Sequence, residues 1–325
     1  NYVALIKDQA GTLVANNLID TLASTTCPAQ IVLESTGTTM TDCIVSGNVC
    51  KSKSSGGHVI RIGNEGLTAG AGKLSGCIVE NNVVLAPGFW GADPGTLHAI
   101  LLGYVPTTYL RNNMEWGGAY GVVIKGDTVY NDYDNQGGVE SNVFLDNTLD
   151  DIHLKGVGNI RIENNTCYCK PGIDRANASI RLGNNYDVAV PVLAAGASAG
   201  QKVIPVNAVT AFAEGQSVVI KSTGSTTDQE VVVIASIDGE SETKTITATD
   251  NLTKTYTGVG DPAAAVVMPV TAYSRGVFVR RNIVCNYGAG AHGVIDTVAV
   301  DAGAQALSLD SNSLSVCNDN IYWRS

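Results

Sequence analysis

Asp151, His153 and Arg181 come closest in this chain to a set that could move protons. They stand in two segments of one pattern, DIHLKG (151–156) and ASIRLG (178–183), in which apolar and polar residues alternate. Alternation with period two belongs to a strand with one buried face. Ile152, Leu154, Ile180 and Leu182 then point inward, while Asp151, His153 and Arg181 share the outward surface on neighbouring segments. Carboxylate and imidazole groups converging with a guanidinium are the kind of acid–base equipment that moves protons to and from a substrate. Nearby loops add Glu115, Trp116, Asp132, Tyr133 and Asp134. The same residues also read as ordinary charges on a solvated strand exterior, where a histidine beside an aspartate is a common pair.

Ligand recognition has separate candidates. Aromatic rings pack on the apolar faces of pyranose sugars, and Trp90 (after Phe89), Trp116 and the run Tyr130-Asn131-Asp132-Tyr133-Asp134 fall in three loops of the middle of the chain. Tryptophan is scarce, with 3 in all, so two on neighbouring segments are informative. The alternative is that they simply cover the side of the core. Asp132 and Asp134 offer the oxygen ligands calcium takes, but Asp127-x4-Asp132-x-Asp134 matches no EF-hand loop. No cofactor and no metal centre are expected. His58 and His98 occupy equivalent positions near the starts of comparable segments, which suggests stacking more than metal binding, and His292 lies near another such start. Cys167-x-Cys169 is not a zinc spacing. No nucleophile elbow, Walker loop, H-E-x-x-H or dinucleotide fingerprint is present.

The elements that must position these residues follow from an internal repeat. A six-residue phrase ending in Asn recurs as TLVANN (ending at Asn17), CIVSGN (Asn48), CIVENN (Asn82), TYLRNN (Asn113), GGVESN (Asn142), IRIENN (Asn165), VFVRRN (Asn282) and LSLDSN (Asn312). The spacing is close to 30 residues except for one long gap between Asn165 and Asn282. Three positions before each Asn stands an apolar residue, and two before it a mostly polar one, so each phrase is a half-buried strand. The terminal Asn suits a tight corner, since Asn tolerates the left-handed conformation and its amide can bond along a stack. A second strand per repeat ends near Gly, as in HVIRIG (58–63), HAILLG (98–103) and GVVIKG (121–126), and a short third strand follows each Asn. Four positions before the Asn, Ile44, Ile78 and Tyr109 point outward and form an apolar stripe, the kind of surface that marks a contact. Two before it, Glu80, Arg111 and Glu140 alternate in sign, which favours in-register stacking.

Three short strands per repeat with Gly and Asn corners describe the coils of a β-solenoid. In this the chain resembles right-handed parallel β-helix proteins, the pectate-lyase-like group that includes many phage tailspikes, in which Asn often occupies the corner between the second and third strands. The resemblance implies an all-β fold: a single-stranded right-handed parallel β-helix of about eight coils. It covers everything outside the long gap.

The gap marks an inserted segment, 187–270, between a first part of the helix (1–186) and its last coils with a C-terminal cap (271–325). Strand-like runs at 202–206, 217–221, 230–237 and 243–248, separated by Gly, Ser and Asp, suggest a small β-barrel or sandwich resembling modules of phage structural proteins. The start, 3–7, reads as a strand of a coil already under way, and 320–325, with Tyr322 and Trp323, as a cap on the far end.

Composition narrows the function classes. Charged residues make up 15% and the net charge is −10, which argues against binding phosphate backbones, so no nucleic-acid partner is expected. No run of about 18 apolar residues exists, so no membrane span is expected. The 8 cysteines read as buried thiols or as disulfides. Together with the resemblance, these features imply a non-enzymatic structural or attachment protein of a phage virion or cell surface, of tailspike, fibre or decoration type. It would assemble with its own copies, a trimer by family expectation, or with neighbouring surface subunits, and touch surface polysaccharide. The alternative is a polysaccharide lyase or hydrolase acting on the outer face of the helix.

Overall fold

The structure, a computed structural model, describes residues 2–324 apart from 22–28, 37–39, 64–73, 104, 127–136, 176–177, 184–190, 211, 223–227, 261–263, 270–273, 275, 288–294 and 297–315. The alternating segments form three parallel sheets of eight strands each, and the chain visits the three sheets in rotation. The first sheet takes the long strands that end near Gly: Tyr2–Lys7, Ala29–Glu34, His58–Gly63, His98–Gly103, Tyr120–Lys125, Asp150–Lys155, Ile180–Gly183 and Ile295–Asp296. The second takes the Asn phrases, Leu13–Ala15 to Val316–Asn318, and the third the strands after each Asn, Leu18–Thr21 to Ile321–Arg324. The fold is all-β, and its only helical piece among the described residues is the 3-10 turn Pro87–Trp90. None of these residues forms a helix long and apolar enough to cross a membrane.

Parallel in-register pairing turns the repeat into columns of like residues. Ile31, Ile60, Ile100, Val122, Ile152 and Ile180 line up across the first sheet. Val45, Val79, Leu110, Val139, Ile162 and Val279 do the same across the second. All are buried in one continuous core. Each such side chain contributes about 1.5–3 kcal/mol by leaving water.

The Asn that ends each phrase is buried and builds a ladder. Asn82 donates from its backbone N–H (3.0 Å) and from Nδ2 (2.9 Å) to Oδ1 of Asn113, and its second Nδ2 hydrogen goes to the Val45 carbonyl at 2.9 Å. The same bonding links Asn17, Asn48, Asn82, Asn113, Asn142, Asn165 and Asn282 in order. The left-handed corner falls one residue earlier than the sequence suggested: Asn16, Asn81, Asn112, Ser141, Asn164 and Arg281 have φ of 54–57°, and Gly47 has 65°. One residue of the corner supplies the backbone reversal and the next supplies the amide.

The ladder also corrects the last repeat. Asn282 bonds onward to Asn320, not Asn312, which lies outside the described residues. The segment expected to cap the end is instead the eighth strand of the third sheet, Ile321–Arg324, paired with Ile283–Asn286.

Between Ile180–Gly183 and Phe278–Arg280 the chain builds a separate antiparallel sheet in the order Val203–Pro205, Thr245–Ala248, Gln229–Asp238, Ser217–Ser222, Ala265–Pro269. It has its own core around Leu193, Ile204, Val218, Ile220, Ile246 and Tyr256. Val192 bridges to Val266 and Leu193 to Val206, so the edges of the sheet at both ends are touched by one short segment. On the return, Ser274 donates its N–H (3.1 Å) and Oγ–H (2.7 Å) to the Gly183 carbonyl, closing the base of the excursion.

Candidate functional site

The proton-transfer set read from the sequence comes apart in the structure. His153 and Arg181 are directly opposite on neighbouring strands of the first sheet. Asp151 is not beside them. The N–H groups of Asp151 and Ile152 both donate to the Ser179 carbonyl, each at 2.9 Å, and two successive donors on one acceptor mark a β-bulge. The bulge breaks the alternation, so Asp151 turns inward together with Ile152. Ala119 and Tyr120 share the Leu97 carbonyl in the same way at the preceding strand. Gly121 belongs to this arrangement, because a Cβ there would lie 2.5 Å from the Asp151 carbonyl oxygen and 2.6 Å from the Phe144 ring.

Inside, Asp151 is fully buried and held by Arg175, itself 1% exposed, through two parallel bonds of 2.8 and 2.9 Å. Asn147 Nδ2 donates to the same carboxylate at 2.9 Å and to Glu115 Oε2 at 2.7 Å, and the Gly118 N–H donates to Glu115 Oε1 at 3.0 Å. Glu115, expected in a loop, is the inward residue of strand Met114–Trp116, and burial pushes its pKa up to about 8. This polar network is cut off from solvent. Burial likewise raises the thiols of Cys50 and Cys77 to about 12, and Cys43, Cys50, Cys77, Cys167, Cys169 and Cys285 are all unbridged.

The carboxylate that does stand beside His153 is Asp150, whose Oδ2 lies 3.1 Å from Nδ1. The sequence reading began this strand one residue too late to include it. Burial lowers the pKa of His153, and Asp150 only partly offsets this against Lys155 and Arg181. His153 is 6% exposed, and in its column Val123, Leu101 and Val32 are fully buried while Arg61 and Arg181 are partly exposed. The outward surface expected around His153 is thus buried at His153 itself.

The aromatic candidates do converge. Phe89 meets Trp90 edge-on at 4.6 Å and Trp116 edge-on at 4.7 Å between ring centroids. The Trp116 Nε1–H donates to Asp146 Oδ2 at 3.1 Å, and Lys170 Nζ reaches the same oxygen at 3.0 Å. Trp90 Nε1 has no hydrogen-bond partner among the described residues. The three rings are partly exposed and Asp146 is buried beneath them, so the cluster offers rings and the Lys170 ammonium on one outer edge. Asp132, Tyr133 and Asp134, the remaining ligand-binding candidates, lie outside the described residues, as does His292.

The apolar stripe is in register as expected: Ile44 opposes Ile78, and Ile78 opposes Tyr109, all partly exposed. Leu13, 65% exposed, extends it by one strand. The third sheet carries a second outward column that the sequence reading did not single out: Leu18, Val49, Val83, Met114 and Val143. Its signal was present, as the residue directly after Asn17, Asn48, Asn82, Asn113 and Asn142 is apolar. Arg111 Nε binds Glu80 Oε2 at 2.8 Å, but the alternation of sign ends where Glu140 opposes Glu163, which is satisfied by Arg280 and Arg281 at 2.6 Å each.

Comparison with protein-family models, with curated proteins and with solved structures returns no match for this chain.

Proposed function

We propose that the chain is a right-handed parallel β-helix of eight coils that serves as a non-enzymatic structural or attachment protein of a phage virion or cell surface. It assembles with its own copies as a trimer. The observation that carries this reading is the outward apolar column Leu13–Ile44–Ile78–Tyr109, continued on the adjoining sheet by Leu18–Val49–Val83–Met114–Val143. Contiguous apolar surface of this length is characteristic of contact faces. The inward turn of Asp151 supports the non-enzymatic side of the proposal, because the acid–base set of the alternative reading loses its carboxylate to an interior ion pair.

Surface glycan is the proposed ligand of the Phe89–Trp90–Trp116 edge, where ring faces and the Asp146–Lys170 pair stand together. The test of assembly is an Ile78→Lys substitution read by sedimentation velocity. A cation in the middle of the stripe is expected to lower the assembled mass. An assembled mass indifferent to that charge would remove the stripe from the interface.

A further inference from the structure

Three histidines stand among the described residues, all on the first sheet, and two of them face each other. His58 and His98 are directly opposite in register at the starts of their strands. Their ring centroids are 4.9 Å apart with an interplanar angle of 32°, yet the two Nδ1 atoms approach to 3.0 Å. The rings therefore lean together at their Nδ1 edges. One arrangement that satisfies this is a single Nδ1–H···Nδ1 hydrogen bond, with the tautomers of the two rings opposed. With both protons on Nε2, two Nδ1 lone pairs stand 3.0 Å apart instead.

We propose that His58 and His98 form a two-imidazole site for a divalent transition metal. Metal–imidazole bonds are about 2.0–2.1 Å long, so two of them meeting at roughly 90–110° leave their nitrogens about 2.9–3.4 Å apart. The observed 3.0 Å falls in that interval. The site is built on rigid parts. The two strands stay in register to their ends, where Gly63 opposes Gly103, and the His98 ring is braced by Tyr120, edge-on at 4.8 Å. His58 is 6% exposed and His98 is partly exposed, so a cation enters from the His98 side.

The ligand type selects the metal. Neutral imidazole suits Cu²⁺, Ni²⁺ and Zn²⁺, with Cu²⁺ highest in intrinsic affinity, and does not suit calcium or magnesium, which take oxygen ligands. Among the described residues no group of three or more His, Cys, Asp and Glu forms a metal site. The positions left over belong to water or an added ligand, and the metal exchanges readily.

The experiment is calorimetric titration of the full chain with Cu²⁺ and with Zn²⁺ at pH 7.5, paired with electron paramagnetic resonance of the Cu²⁺ form. Both metals are expected to bind at one equivalent, with nitrogen couplings from two imidazoles in the Cu²⁺ spectrum. His58→Ala and His98→Ala should each weaken binding at least tenfold and reduce the coupling to one nitrogen, while His153→Ala leaves both unchanged. His98→Gln, with folding checked by circular dichroism, gives the same readout without an emptied volume. Wild-type affinity in the His58→Ala/His98→Ala double variant, or no binding by the native chain, would overturn the assignment.

Discussion

Arg175 grips Asp151 with both terminal nitrogens inside the protein, Nη1 to Oδ2 at 2.8 Å and Nη2 to Oδ1 at 2.9 Å, with neither residue more than 1% exposed. The pair is the clearest case in which the fold takes a residue that the sequence offers to chemistry and uses it for structure. A buried ion pair contributes little net stability against an apolar replacement of the same shape, but losing one partner leaves an uncompensated charge.

Arg175→Met is accordingly expected to cost about 3–5 kcal/mol. Arg175→Met combined with Asp151→Asn should recover most of that loss, because no charge is then left behind. Denaturant midpoints of the two variants check this. Additive losses in the double variant would mean that the two side chains are not coupled.

Glu115 gives stability a pH dependence of known sign. Its pKa in the fold is about 8, raised above the ordinary 4.5 first of all by burial. Between these values the folded chain holds a proton that the unfolded chain has released. The contribution is whole below the ordinary value, declines as pH rises, and is lost once pH passes the folded value. The slope is at most ~1.4 kcal/mol per pH unit for one proton. Glu115→Gln should flatten the fall in urea midpoint between pH 5 and pH 8. Parallel curves for variant and wild type would assign that fall to other groups.

The Asn ladder makes position along the chain matter. Asn113 is 2% exposed; its Oδ1 accepts two bonds from Asn82 and its Nδ2 donates to Asn142 and to the Val79 carbonyl. Asn113→Ala orphans several buried groups and is expected to cost about 2–4 kcal/mol. Asn17 ends the described ladder and is exposed, so Asn17→Ala should cost under about 1 kcal/mol. Thermal unfolding of the two variants compares them directly; equal losses would deny the ladder its role.

Trp116 lies at the centre of the proposed glycan edge, against Phe89 and bonded to Asp146. Trp116→Ala should weaken binding to a responsive polysaccharide at least tenfold while the circular dichroism spectrum is retained. Unchanged affinity in a glycan array or in calorimetry would move the binding surface elsewhere.

Much of the fold is legible in the repeat, because a buried face imposes period two and parallel pairing imposes the same register on every repeat. Val79 and Leu110 stand three before their Asn residues and meet in register. The sites were harder to read. Alternation places Asp151 outward, and only the double use of the Ser179 carbonyl, a backbone event with no side-chain signature, turns it inward. Glu115 sits where neighbouring repeats carry Val84 and Phe144, and its charge hides a core position. The last rung was missed because LSLDSN imitates the phrase, while the strand that pairs with Phe278–Arg280 presents Cys317 in place of an aliphatic residue.

The most direct test of the proposed role is the solution mass of the purified chain at micromolar concentration, by light scattering. A stable trimer or larger polymer is the expected result. A monomer across the concentration range would contradict assembly through the Ile44–Ile78–Tyr109 column and with it the structural reading.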